Sequence, residues 1–340
     1  MLRVGILGAT GYAGEELIKI LLKHPKVKIT YLAAKVDAPQ EIAKIFPHFA
    51  GKIRLICDSL NINTAIRLCD LIFLALPHTV SMQVAPKFLA AGKKVIDLSA
   101  DYRLRDISVY KAWYNTSHKD KKNLSAAVYG LPEFYREKIK KACLVANPGC
   151  YPTAAILAIA PVVVSEAVDL KSIIIDAKSG LTGAGRKASF DYFFSEINEN
   201  VLAYKINSHQ HMPEINQELT RLTRSKVKVN FIPQIVPLNR GILETIYIKL
   251  NNDATAASLI SLYRKFYKNE PFIRIKNEGE LPTLKDVVST NFCDIGIKFV
   301  KENKLMIIVS CIDNLTKGAA GQAVQNMNIM FDFGETTSLL

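Results

Sequence analysis

Leu2-Arg3-Val4-Gly5-Ile6-Leu7 is a short apolar run, and Gly8-Ala9-Thr10-Gly11-Tyr12-Ala13-Gly14 follows it without a break. A helix is expected from about Glu15 to Lys23. Strand, glycine-rich turn and helix in that order open a dinucleotide-binding βαβ unit. The glycines let the backbone turn tightly and approach a pyrophosphate, which sits on the N–H groups of the helix N-terminus. The spacing is GxxGxxG, a variant of the usual GxGxxG. Gly8, Thr10, Gly11, Tyr12, Ala13 and Gly14 are the candidate cofactor turn.

Working outward, residues 27–34 form a second strand that ends in Ala33-Ala34-Lys35. An acidic residue near this point serves the ribose of NAD. A lysine is better placed to meet a 2′-phosphate, so the cofactor expected is NADP. Residues 70–76 and 94–98 are nearly all apolar, as buried parallel strands are. Open α/β sheets bind ligands at the carboxyl ends of such strands. Pro77-His78-Thr79 and Ser99-Ala100-Asp101-Tyr102-Arg103 stand there, making His78, Ser99 and Arg103 cleft candidates. Arg103 can fork onto a carboxylate or phosphate; the plainer reading is a surface contact with Asp101. Residues 105–122 read as an irregular excursion. A turn at Tyr129-Gly130-Leu131-Pro132-Glu133, a basic helix near 136–141 and a strand at 142–146 complete the first half.

That last strand delivers the chain to Asn147-Pro148-Gly149-Cys150-Tyr151-Pro152-Thr153 and a run of helix formers from Ala154. Pro152 suits a first helical position, where its missing N–H costs nothing. Cys150 then stands just before a helix N-terminus, a setting that favours thiolate. Cys150 is the candidate nucleophile, weighed against a structural cysteine.

A nucleophilic thiol needs a proton partner, and the second half offers Ser208-His209-Gln210-His211-Met212-Pro213-Glu214. One of the two histidines is the candidate acid/base. Apart from Glu214 the pair lacks nearby companions for a metal site, so no metal is expected. Three glycines in residues 179–186 suggest backbone amides beside an anion. Arg240, in the turn Pro237-Leu238-Asn239-Arg240-Gly241, is a candidate for a substrate carboxylate. Strands near 172–178, 228–236, 242–250, 291–300 and 304–312, with a helix near 256–267, suggest an antiparallel α+β layer. Its outer face needs covering, which points to a homo-oligomer. A helix opening at Asp313-Asn314 and running to about Phe331 is expected to return to the first domain. The expected division is 1–146 with 314–340, and 147–313.

With 340 residues and 49% hydrophobic composition, the chain has room for two domains and a sizeable core. Six cysteines lie far apart with no CxxC pair, which suits a reducing cytoplasm over a disulfide framework. No apolar run is long enough to span a bilayer, and because Met1-Leu2-Arg3-Val4 runs straight into a strand no signal peptide is expected. The net charge of +13 comes from scattered lysines with no basic stripe interleaved with aromatics. That argues for a solvated surface and anionic ligands over nucleic acid.

Taken together, residues 8–14, 75–78, 97–103, 129–133, 147–153, 179–186, 209–215, 237–241 and 313–328 resemble the N-acetyl-γ-glutamyl-phosphate reductases of arginine biosynthesis. The stretches occur in the family's order over nearly the whole chain. The family is similar to aspartate-semialdehyde dehydrogenase and, more distantly, to glyceraldehyde-3-phosphate dehydrogenase. The resemblance implies a Rossmann-type α/β domain joined to an α+β catalytic and oligomerisation domain. It implies NADPH-dependent reduction of N-acetyl-L-glutamyl 5-phosphate to the 5-semialdehyde in a cytoplasmic homodimer or homotetramer. By the same resemblance Cys150 is the nucleophile and His211 the acid/base. Arg103, Ser179, His209, Glu214 and Arg240 surround the substrate, and Pro77, Gly180, Gly183 and Asn314 join the cofactor contacts. Residues 33–40, which include the 2′-phosphate candidate Lys35, depart from the family's small, glycine-containing and often arginine-bearing pattern. The rival readings are a reductase of aspartyl phosphate or of a carrier-linked aminoadipyl phosphate, and a non-catalytic NADP-binding redox sensor.

Overall fold

β1 (Leu2–Leu7) is buried from Val4 onward, and α1 (Tyr12–Leu21) leaves the glycine turn directly. α1 starts three residues earlier than the sequence suggests, because Gly11 adopts an extended conformation and serves as its N-cap. The computed structural model describes residues 1–186 and 189–340. The chain continues with β2 (Val27–Ala33), β3 (Gln40–Glu41), α2 (Ile42–Ile45), β4 (Ile56–Asp58), α3 (Ile62–Leu68), β5 (Leu71–Leu74), α4 (Ser81–Ala90) and β6 (Lys94–Asp97). Then come α5 (Ile107–Tyr114), α6 (Lys121–Ala126), β7 (Val128–Tyr129), α7 (Pro132–Lys141) and β8 (Leu144–Ala146).

These strands form one sheet in the order β3-β4-β2-β1-β5-β6-β8-β7, parallel except for β3 against β4. The chain moves from β1 outward to β2 and β4, then crosses back to β5 on the other side of β1. The order therefore reverses between β1 and β5, where such sheets bind ligands. The core of this unit is apolar, with Leu7, Ile72, Leu74, Phe88 and Val95 all essentially buried.

Residues 105–122 are not irregular. Asp106 caps α5 by accepting from the N–H of Ser108 (2.7 Å), and Asp120 caps α6 by accepting from Asn123. Tyr110 is fully buried and stacks on Tyr114 at 4.8 Å. Two side-chain caps and one aromatic anchor make short helices from a polar stretch.

The second unit comprises α8 (Cys150–Val164), β9 (Ile174–Ser179), α9 (Phe194–Ile197), β10 (Leu202–Ala203), α10 (Met212–Thr223), β11 (Asn230–Ile235), β12 (Ile242–Lys249), α11 (Ala256–Phe266), β13 (Ile273–Ile275), β14 (Cys293–Val300) and β15 (Leu305–Ile312). Its sheet runs β10-β11-β9-β12-β15-β14-β13. The layer is mixed, not antiparallel as expected: β9 pairs parallel with β11, and β13 with β14. The long connections after β9 and β13 make parallel pairing possible, since only a tight hairpin forces antiparallel neighbours.

α8 is apolar all round and buried from Tyr151 to Val163, so it is a core helix. Pro161 lies inside it and offers no N–H to the carbonyl of Leu157. That carbonyl accepts instead from the Tyr267 hydroxyl at 2.6 Å. The Tyr263 hydroxyl bonds the Ala158 carbonyl, so two tyrosines anchor α8 where its own ladder is interrupted. The sheet face toward the helices buries Ile242, Ile246 and Ile248. The opposite face carries Leu243, Tyr247, Ile232 and Ile307, each only partly buried, and Ile174, which is exposed.

The chain then passes through a wide helical turn at residues 316–320 into α12 (Gly321–Met330). By contacts the compact units are residues 1–149 with 319–340, and residues 150–318. α12 therefore belongs with the first unit, where His24 Nε2 meets Asn328 Oδ1 at 3.0 Å and Lys94 Nζ donates to the Met330 carbonyl. Among the described residues no helix is long and apolar enough to cross a membrane.

Glu244 is the anomaly in the second unit's core. It is 0% exposed on the helix-facing side of β12, and neither carboxyl oxygen has a hydrogen-bond partner among the described residues. Burial pushes its carboxyl well above the ordinary glutamate range. A carboxyl raised on folding stabilises the native state below its unfolded value and weakens it as pH climbs toward the native one. Glu244→Gln should therefore flatten the loss of stability as pH rises above about 4.3, the unfolded glutamate value. Glu244→Met should also raise stability by about 1–3 kcal/mol at neutral pH by removing the unsatisfied group. Denaturant melts of the three proteins between pH 4 and 8 check this; parallel curves would show that Glu244 has no linkage.

Candidate active site

In the first unit, Gly8 stands at the switch point with φ +88°. A Cβ there would lie 2.0 Å from the Ala75 carbonyl oxygen just beyond β5, so no side chain fits. A Cβ at Gly14 would lie 2.2 Å from the Gly8 carbonyl. The three glycines thus close the turn onto β5 and onto the start of α1. No side chain among the described residues caps α1, which leaves its N-terminal amides to an anion. Thr10, Tyr12 and Ala13 ride on this turn. Lys35 follows β2 and is exposed, as a residue meeting a 2′-phosphate must be. The residues present fit a dinucleotide phosphate.

Pro77 and His78 lie beyond β5, and both are exposed. His78 Nδ1 accepts from the N–H of Ala100 at 3.1 Å. Asp101 is buried and accepts from the N–H groups of Thr79 (2.7 Å) and Met82 (2.9 Å) and from the Tyr110 hydroxyl. It holds the entry to α4. Arg103 is 5% exposed and donates to the carbonyls of Leu98 and Asn147, both at 2.7 Å. With both residues buried, the plainer reading of a surface contact between them does not hold. Ser99 is buried, its hydroxyl donating to Asp97 at 2.8 Å. Burial, then the nearby Asp101 charge, raise the Asp97 carboxyl to about 6.

Cys150 is the first residue of α8 and is half-buried. The other thiols differ. Cys57, Cys69, Cys293 and Cys311 are buried, and burial pushes Cys57 up to about 11. Cys143 is exposed but opens no helix. Tyr151 follows Cys150 and sets its ring edge-on to His209 (5.5 Å), His211 (5.9 Å) and Phe231 (5.3 Å). Burial raises the Tyr151 hydroxyl, and raises that of Tyr204 to about 12, with the Cys150 charge a lesser cause at both. The two tyrosines thus link the sulfur, whose charge reaches both, to the two imidazoles, whose rings they meet.

The two histidines are not equivalent. His209 Nδ1 accepts from the backbone N–H of His211 at 3.1 Å, while its Nε2 faces the Tyr204 hydroxyl at 3.5 Å. A ring bonded this way is fixed in orientation. His211 occupies the N-cap position of α10, 4.8 Å ring to ring from His209. Glu214 is 1% exposed in the first turn of the same helix.

The glycine loop after β9 is stapled to the turn before β12. Gly180 donates to the Gly241 carbonyl and Leu181 to that of Leu238. A Cβ at Gly180 would stand 2.8 Å from the Arg240 nitrogen, which explains the glycine. One at Gly183 would stand 3.2 Å from the Ser179 hydroxyl. Asn314 bridges both loops, accepting from Gly241 N–H at 2.7 Å and donating to Thr182 Oγ1 at 2.9 Å. Arg240 forks onto Asp313, with Nε 2.9 Å from Oδ2 and a second nitrogen 3.0 Å from Oδ1, and also reaches Thr316. Sequence reasoning alone misses Asp313, Tyr151 and Tyr204. Asp313 precedes Asn314 by one residue, but only the fold shows that its partner lies 73 positions away. Among the described residues no cluster of three or more metal-ligating side chains occurs.

Comparison with known proteins gives a consistent result. The model of the semialdehyde dehydrogenase NAD binding domain matches residues 3–142, and that of the semialdehyde dehydrogenase dimerisation domain matches residues 150–314. An N-acetyl-gamma-glutamyl-phosphate reductase of Desulforamulus reducens is 48% identical over 339 residues, covering 100% of this chain and 98% of the relative. One of Symbiobacterium thermophilum is 47% identical over 340 residues, covering 100% and 97%. Among solved structures, aspartate semialdehyde dehydrogenase II of Vibrio cholerae, complexed with ASA, superposes with a TM-score of 0.74 at 18% identity, covering 98% of both chains. The Candida albicans aspartate semialdehyde dehydrogenase with NADP gives 0.72 at 16% identity, covering 97% and 98%.

Asp313 is 0% exposed, and Arg240 is its ion-pair partner beside the backbone N–H groups of Ser289, Leu315 and Thr316. Arg240→Met should destabilise the chain by about 1.5–3 kcal/mol, the worth of hydrogen bonding to a charged group, since three backbone N–H groups still reach the carboxylate. Adding Asp313→Asn to it should recover part of that loss. Chemical denaturation of the single and double variants is the measurement; equal stability of Arg240→Met and wild type would refute the pairing.

Proposed function

The chain belongs to the semialdehyde dehydrogenase family, among the N-acetyl-gamma-glutamyl-phosphate reductases, and we propose that it catalyses their reaction. It reduces N-acetyl-L-glutamyl 5-phosphate to N-acetyl-L-glutamate 5-semialdehyde and releases phosphate, with NADPH as the reductant. The observation that carries the chemistry is Cys150 opening α8 beside the Tyr151 ring and the His209–His211 pair. The substrate follows from full-length relatives of that name.

The Cys150 thiolate attacks the acyl carbon, the C–O bond to phosphate breaks, and a thioester forms. The α8 N-terminus favours the anionic sulfur before attack. An acyl phosphate is already activated, so its departure needs chiefly donors for the leaving oxygens; Arg103 and the glycine loop of residues 179–185 are our candidates. NADPH supplies, when bound, the hydride that reduces the thioester carbon; Gly8 to Gly14, Lys35, Pro77, Gly180, Gly183 and Asn314 are the residues assigned to hold it. His211 gives a proton to the oxyanion that results and takes it back as the hemithioacetal collapses to aldehyde and thiolate. We assign this role to His211 because the Nδ1 of His209 is engaged by backbone. His209 orients its neighbour, with Glu214 beneath, and Ser179 and Arg240 shape the substrate side. Splitting one reduction into acylation and reduction of a thioester lowers both barriers.

The assembly proposed is a homodimer or homotetramer in the cytoplasm, a reducing compartment that suits six scattered cysteines. The half-exposed face of the second unit's sheet, with Tyr247 and Ile307 at its centre, is the surface a second copy would cover.

Cys150→Ser should abolish turnover while NADPH binding stays near that of wild type. His211→Asn should lower kcat by about 10²- to 10⁴-fold. The assay runs in reverse, with semialdehyde, phosphate and NADP or NAD followed by absorbance, and kcat/KM is compared with the aspartate semialdehyde. Rapid turnover by Cys150→Ser would end the nucleophile assignment, and a larger effect at His209→Asn would move the acid/base there.

Tyr247→Asp should shift the chain toward monomer in sedimentation or light scattering. An unchanged molar mass would remove the sheet face as the interface.

A further inference from the structure

We propose that Asn326 is a positioning residue for the nucleophile Cys150, acting through the side chain of Asn147. The inference rests on the reading of Cys150 given above and adds to it a residue 176 positions further along the chain.

Asn147 and Asn326 are both 0% exposed. All four polar atoms of Asn147 are engaged. Its N–H donates to the Asp97 carbonyl at 2.8 Å, and its carbonyl accepts from Arg103 Nε at 2.7 Å. Its Nδ2 donates to the Ala319 carbonyl at 3.0 Å, and its Oδ1 accepts from Asn326 Nδ2 at 3.1 Å. The amide orientation is fixed by chemistry: the Ala319 carbonyl can only accept, so the nitrogen of Asn147 must face it and the oxygen must face Asn326. The second proton of Asn326 Nδ2 goes to the Gly130 carbonyl at 2.9 Å. Asn326 is therefore a two-proton brace between the β7–α7 turn and Asn147.

What this brace holds is the root of the nucleophile. Only Pro148 and Gly149 separate Asn147 from Cys150. Proline fixes its own φ and the link is only two residues long, so a displacement of Asn147 is carried toward the sulfur-bearing residue. Cys150 has little room to move: a Cβ built on Gly318 would stand 2.8 Å from the Cys150 Cβ. Gly318 is itself tied by its N–H to the Asp313 carbonyl at 2.9 Å. A buried carboxamide on a core helix costs stability unless it is bonded. Two in series, aimed at the residue that precedes the Pro-Gly link, are an expensive way to fill space and a direct way to fix a backbone. Misplacing a reacting atom by about 1 Å costs on the order of a hundredfold in rate.

The test uses the full chain with Asn326→Leu, which keeps the volume and removes both donors. Three properties are read: the iodoacetamide rate at Cys150 across pH by peptide mass spectrometry, kcat and KM in the reverse assay, and NADPH binding by fluorescence. The expected result is a slower Cys150 alkylation with its pH midpoint moved upward. With it come a kcat lowered by about ten- to a hundredfold and nearly unchanged KM and NADPH binding. If Asn326→Leu melts at lower temperature but keeps the wild-type alkylation profile and kcat, Asn326 only stabilises the fold and the proposal is wrong. Should that variant not fold, Asn326→Ser, which retains one donor, is measured in the same three ways, and the same two outcomes support or overturn the proposal. Gly318→Ala, which crowds Cys150 directly, shows the size of response that a displaced sulfur gives. Resistance of wild-type Cys150 to alkylation, with turnover kept in Cys150→Ser, would defeat the nucleophile reading instead.

Discussion

The second unit depends on one helix having no polar face. α8 is buried on every side from Tyr151 to Val163, so hydrophobic burial fixes both its axis and its rotation. Each fully buried Ile, Leu or Val contributes about 1.5–3 kcal/mol, and α8 has Ile156, Leu157, Ile159, Val162 and Val163 in that state. A helix held this way cannot slide or turn without losing several such contributions together. Its first residue, Cys150, is consequently delivered to one place, and the polar groups around it can be built to that place.

The polar construction follows from burial in a second way. Asp313 is sealed from water, and it is satisfied there by its pair with Arg240 together with the backbone N–H groups of Ser289, Leu315 and Thr316. That pair draws the turn before β12 against the stretch after β15, and Asn314 adds the loop after β9. Three segments distant in sequence become one surface because each carries a group that another must satisfy. Glu244 is the exception that shows the rule, since it is equally buried and has no partner among the described residues. Its carboxyl answers by holding its proton.

Much of this is legible in the chain. Strand, glycines and helix at residues 2–21 identify a dinucleotide turn because only glycine permits the positive φ at Gly8 and the closeness of Gly14 to the turn. The apolar runs of β5 and β6 read as buried parallel strands for the same local reason. Residues 105–122 escape such a reading because their helices rest on caps and on the burial of Tyr110, and neither shows in a polar composition. The mixed second sheet escapes it because strand direction is set by how long connections pack, which residues 180–229 do not announce.

At the candidate site, the sequence by itself determined which residue types were available: a cysteine at a helix start, a histidine pair, arginines in turns, and the order of motifs shared with the reductases. Those are properties of short stretches, and short-range stereochemistry specifies them. Only the tertiary structure decided who meets whom. It engaged Arg240 with Asp313, turned Arg103 onto two backbone carbonyls, distinguished His209 from His211 by their hydrogen bonds, and joined Asn326 to Asn147. Such choices depend on groups tens to hundreds of residues apart being desolvated together, and no local pattern encodes the resulting demand for a partner.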